Sequence, residues 1–216
     1  ESVRVTRRGN HLHSLIEDYI NNEELNPKGD ETLLFKQALP MLEDDAIRQR
    51  FGDRFLLSVN LSTRQLMDPS LLDTLLEALD HHGVPCHRLQ IEVTETSVLS
   101  DPVKAFRILD RIRAAGIRVA LDDFGAGFAS LVYLREIRFD KVKIDGSLIK
   151  RARHPQGRDM LRGVVKMIAA MKLESVAEFI ATSGDRETAR ELGAEFGQGY
   201  HLGYPLDEEG TRDLLA

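Results

Sequence analysis

The sequence predicts one parallel α/β barrel, and three features point to it. Six short apolar runs with strand character recur between Phe55 and Tyr200. Segments of helical periodicity, punctuated by proline at their starts or glycine at their ends, lie between them. The strand–helix alternation repeats every ~20 to 35 residues, with no linker composition between units. Parallel neighbours need crossovers of that kind. Their unbroken succession fits one closed barrel over 1–216 better than two domains.

The elements follow in order. "ESVRVT" alternates and reads as a strand, and the polar "YINNEELNPKGD" reads as a mobile loop. "ETLLFKQALPMLEDDAIRQRF" reads as a helix that breaks near Pro40. "FLLSVNL" is the first of the six buried strands. In "PSLLDTLLEALDHHG" Leu71, Leu72, Leu75, Leu76 and Leu79 make a helical face that stops at a glycine. "RLQIEV" is the next strand, and "DPVKAFRILDRIRAAG" is a helix with Asp-Pro at its start and glycine at its end. "IRVALDD" is a strand expected to run out between Asp122 and Asp123, which would send the two carboxylates in different directions. "DKVKID", the helix "GRDMLRGVVKMIAAM", the strand "LESVAE", the helix "DRETARELG" and the strand "EFGQGY" complete the pattern.

Composition is that of a globular protein, with 42% hydrophobic and 30% charged residues in a chain of 216. The net charge of −6 gives no electrostatic case for binding duplex nucleic acid. The single cysteine, Cys86, excludes an intrachain disulfide and favours a reducing, cytoplasmic setting. No apolar run approaches the ~18 residues of a membrane span. The chain starts with glutamate, so it reads as a piece of a longer protein. His11, His13, His81 and His82 stand apart from other candidate ligands and read as surface residues.

Residues two apart share a face of a strand. By that rule Ser58 pairs with Asn60, Gln90 with Glu92, Ala120 with Asp122, Lys141 with Lys143, Val176 with Glu178 and Phe196 with Gln198. Each run thus ends in a polar or charged residue, and in a barrel these ends converge on one mouth, where active sites sit. A satisfied polar network closing the barrel top is the alternative. The ring has carboxylates, amides and a lysine but no cysteine or histidine, a hard-oxygen set that suits Mg²⁺ or Mn²⁺ rather than zinc. Clustered carboxylates repel without a cation, and the Asp122–Asp123 pair could build a two-metal site for in-line displacement at phosphorus. Gly125 and Gly127 give the following loop freedom for a turn or for close approach to a ligand.

"NLS" (60–62), "EVTET" (92–96), "DDFGAGFASL" (122–131), "KID" (143–145), "VAEF" (176–179) and "QGYHLGYP" (198–205) resemble, in order and spacing, the EAL domains of bacterial signalling proteins. The likeness runs from about Phe55 to the C-terminus, roughly three quarters of the chain, and residues 1–50 are divergent. It implies a modified TIM (β/α)8-type barrel, here lacking part of its N-terminal strand region, that binds cyclic di-GMP. Active members hydrolyse it to linear pGpG with Mg²⁺ or Mn²⁺. Carried over by motif, Asn60, Glu92, Asp122 and Asp123 resemble metal ligands, and "ESV" at Glu1 stands where the family's first acidic ligand would be. Glu178 resembles a metal-site carboxylate and general base. Lys143 would orient or activate water, or hold charge near it. Gln198 would support the metal site or ligand, and Glu95 would anchor the loop after Asp123. The family also implies a homodimer and an attached sensory or GGDEF-type domain.

The chain departs from the family at "ESV", at Ala181, where the "EGVE" block has its second acid, and at Ala126 and Ala129 in the loop. Two classes of function follow. One is a metal-dependent cyclic di-GMP phosphodiesterase, favoured by the retained ring. The other is a non-catalytic cyclic di-GMP receptor that signals to a partner, favoured by the departures. A barrel used only for protein contacts would leave the carboxylates without purpose.

Overall fold

The computed structural model describes residues 56–126, 134 and 136–204. The expected N-terminal strand, loop and helix, together with Glu1, lie outside the described residues, as do Gly127 and Ala129.

Every strand of the described sheet is parallel to its neighbours. The strands are β1 (Leu57–Leu61), β2 (Leu89–Thr94), β3 (Arg118–Phe124), β4 (Lys141–Ile144), β5 (Glu174–Ala177) and β6 (Phe196–Gly197). Their spatial order is their sequence order, β1 to β6. A doubly wound sheet reverses direction at a switch point. This one never does, which is the strand order of a barrel wall, and all strand C-terminal ends share one edge.

The helices are α1 (Thr63–Leu66), α2 (Leu71–His81), α3 (Glu95–Ser100), α4 (Pro102–Ala114), α5 (Gly146–Arg151), α6 (Pro155–Ala170) and α7 (Ser183–Glu191). Their starts are written in side chains. Ser62 and Gln65 form a reciprocal capping box at α1, and Asp101 accepts the Lys104 N–H at 3.1 Å before Pro102 opens α4. α1, α3 and α5 are too short to show a periodicity, and only their caps, Ser62, Thr94 and Asp145, announce them. No helix among the described residues is long and apolar enough to cross a membrane.

Strand alternation splits the sheet chemically. Leu89, Ile91 and Val93 of β2, with Val119, Val142 and Ile144, are fully buried and pack under the helices. The opposite face carries Gln90, Glu92, Asp122, Lys141 and Lys143, all buried as well. Helix α4 covers its part of the sheet with Ala105, Ile108, Leu109 and Ile112, and α6 does so with Leu161, Val165 and Ile168. Each aliphatic side chain buried in this way contributes roughly 1.5–3 kcal/mol.

One ion pair outside the sheet locks α7. Asp185 is 3% exposed and closes a capping box with Thr182 while accepting Arg153 Nε at 3.1 Å and Nη2 at 3.0 Å. Burial pushes its carboxyl up, but the Arg153 and Thr182 hydrogen bonds outweigh burial and hold it below the usual carboxylate range. A depressed pKa stabilises the fold above the unfolded-state value and ceases to do so as pH falls through the folded one. Asp185→Ala is therefore expected to cost about 1–2 kcal/mol at neutral pH, since Arg153 is half exposed. In urea titrations the gap from the parent should close below about pH 4.

Candidate active site

The strand C-terminal edge gathers four buried charges within hydrogen-bonding range. Lys143 Nζ lies 2.6 Å from Glu92 Oε2, 3.0 Å from Asp122 Oδ1 and 3.0 Å from Glu178 Oε1. The four side chains are between 0 and 4% exposed. They come from β2, β3, β4 and the residue after β5, so parallel pairing alone brings them together. Three carboxylates around one ammonium leave a formal charge of −2 out of water. Burying unbalanced charge is costly, so the site is built for a further cation or for protons.

Asp123 adds a fourth carboxylate by a route the sequence pattern does not show. β3 does not stop between the aspartates but continues to Phe124, and its register against β4 shifts between Leu121 and Phe124. Within that bulge Asp123 takes a left-handed backbone, φ 56°, and its N–H donates to Asp122 Oδ1 at 3.0 Å. The bulge cancels the alternation. Instead of pointing apart, Asp122 and Asp123 each offer an oxygen, with Glu178, all within 4.8 Å of one another. Hard oxygen donors this close fit Mg²⁺ or Mn²⁺.

Asn60, Gln198 and Glu95, also expected at the site, lie on or beside other elements of the sheet. Asn60 is in register with Glu92 on the neighbouring strand and is half-buried. Gln198 follows β6, where its backbone N–H donates to Ala177 and its carbonyl accepts from Ile180. Its Oε1 is buried without a hydrogen-bond partner among the described residues. Glu95 opens α3 rather than ending β2. Burial raises its pKa above the usual range, and the Gly125 N–H pulls the other way. That N–H belongs to the start of the loop after Asp123, although neither Glu95 oxygen has a hydrogen bond of ordinary geometry among the described residues. Gly125 itself is required, because at φ 93° an added Cβ would meet Leu148 Cδ1 at 2.4 Å.

Gln90 is a contributor that strand-end reasoning passes over. Its Nε2 donates to Glu92 Oε1 at 3.0 Å and to Ser58 Oγ at 2.9 Å, fixing the carboxylate whose other oxygen meets Lys143. The signal was its shared face with Glu92, two residues on. Beyond the cluster, Phe179 is half-exposed with φ 53° and Ala181 is exposed.

Comparison with known proteins agrees with this fold. The sequence profile of the EAL domain matches residues 11–205. The cyclic di-GMP phosphodiesterase NbdA of Pseudomonas aeruginosa is 33% identical over 165 residues, covering 76% of this chain and 21% of that protein. The bifunctional diguanylate cyclase/cyclic di-GMP phosphodiesterase MucR of the same organism is 32% identical over 161 residues, 74% of this chain and 23% of that one. The chain thus spans about a quarter or less of the length of these curated relatives. Among solved structures, the EAL enzyme Bd1971, in a form with cAMP and cyclic di-GMP bound, superimposes with a TM-score of 0.82 at 27% identity, over 94% of this chain and 55% of that one.

Proposed function

This chain belongs to the EAL domain family, and from that premise we propose that it hydrolyses cyclic di-GMP to linear pGpG with Mg²⁺ or Mn²⁺. The observation that carries the reading is the surplus of buried carboxylates around Lys143, which calls for added positive charge at the strand ends. Asp122, Asp123 and Glu178 would hold the cation, with Asn60 and Glu92 beside them and Glu1 as a further ligand, making room for two ions. Bound there, a divalent cation supplies Lewis acidity to the phosphodiester and acidifies a water.

The chain's own residues do the rest. Glu178 accepts the water's proton on its carboxylate. The Lys143 ammonium, 3.0 Å from that carboxylate, tempers the charge that builds as the phosphorane forms. Gln90 keeps Glu92 aimed at Lys143, so the ammonium stays central. Gln198 and Glu95 support the ligand and the loop after Asp123.

Incubation with cyclic di-GMP and Mn²⁺ should yield pGpG on chromatography, and a chelator should stop it. Tight binding with no pGpG would favour instead the receptor reading, which the departures at "ESV" and Ala181 support. The proposal extends to one cytoplasmic domain over residues 1–216 that acts as a homodimer beside a sensory or GGDEF-type domain. Light scattering at twice the 24.3 kDa chain mass tests the dimer.

A further inference from the structure

We propose that the opposite end of the sheet holds a second site, a cation-rimmed cavity that takes a nucleoside phosphate. A cavity of about 620 Å³ opens at the strand N-terminal ends, where Gln90, Arg118, Lys141 and Glu174 begin or nearly begin β2 to β5. That volume suits a small organic ligand.

Its walls are amphipathic. Leu134, Phe139, Met171 and Leu173 supply apolar surface on which a flat ring can rest. The cations outnumber the anions. Asp140 is 3.4 Å from Arg113 and Glu174 is 3.3 Å from Lys141. Arg118, Arg138 and Lys172 also line the cavity and have no ion pair among the described residues. Three uncommitted cations around one hollow, on a chain of net charge −6, select an anion, and guanidinium forks match phosphate oxygens.

Two residues of the lining also carry buried polar atoms without a partner among the described residues. Gln90 is 2% exposed, and its Oε1 has no partner among the described residues. Arg113 Nε is buried without one too. Such groups are few in native proteins. A nucleobase would rest on the apolar wall, whereas inorganic phosphate would meet only the cations. This site lies at the other end of the strands from Asp122, so it stands whether or not the phosphodiesterase reading does.

The test is methyl NMR on the full chain with isotope-labelled methionine and a chelator present, the Met171 signal being assigned by Met171→Leu. GMP at micromolar to roughly millimolar concentration should shift the Met171 signal in a saturable way. Guanosine and inorganic phosphate should each bind about tenfold or more weakly. Arg138→Glu, at an exposed position, and Lys172→Gly, where φ is 60° and glycine sits without strain, should each weaken GMP about tenfold while the protein stays folded. The proposal is overturned if GMP leaves the Met171 signal unmoved, or if neither variant weakens the shift. Phosphate binding as well as GMP, or an acidic peptide moving the signal when GMP does not, also overturns it.

Discussion

Lys143→Met is expected to destabilise the fold by about 3–5 kcal/mol, because it removes the ammonium that pairs with three buried carboxylates and leaves them to repel one another. Methionine keeps most of the side-chain volume, so the loss reads charge rather than packing. Turnover should vanish as well. Mn²⁺ should raise the melting temperature of the variant more than that of the parent, since a cation that binds only the folded state stabilises it by mass action and here replaces the missing charge. Thermal denaturation with and without Mn²⁺ measures both effects. A loss below about 1 kcal/mol would mean that the four groups do not act as one unit.

Asp122→Asn should move stability and activity in opposite directions. It lowers the surplus negative charge by one while keeping the side chain's shape, and the amide oxygen can still accept the Asp123 N–H. In the absence of metal the variant should be as stable as the parent or more stable by about 1 kcal/mol. With metal it should lose turnover by a factor on the order of a thousand, because the charge that draws the cation and substrate together has gone. Calorimetric Mn²⁺ titration and pGpG formation check the two halves. A variant that turns over at the parent rate would sink the metal-dependent mechanism, and one that unfolds as Lys143→Met does would sink the charge accounting.

Much of the site was legible because strand alternation is a two-state code. Once the runs were read as strands, Glu92, Asp122, Lys143 and Glu178 had to lie on one face, and sequential parallel pairing had to place them side by side. Helices α2, α4, α6 and α7 were legible from leucine spacing, caps and terminal glycines. What escaped was whatever breaks the code. The bulge at Asp123 adds a residue without changing composition, so the paired aspartates looked like the end of a strand. The two-residue β6 left Gln198 beyond a strand that had seemed longer. Helices α3 and α5 give only a capping residue as notice. Distances were beyond reach altogether: alternation puts Lys143 on the right face, but only coordinates show it touching three carboxylates at once.

The left-handed backbone at Asp123 has a consequence at the level of codons. Aspartate, asparagine and glycine are the residues that enter this conformation at little cost. Asparagine and glycine are each one base substitution away from aspartate. A lineage could therefore discard this carboxylate in a single mutational step and keep the fold, whereas a step to valine or alanine would strain the bulge. On the proposed reading, one base change at this codon separates a domain that degrades its messenger from one that only holds it.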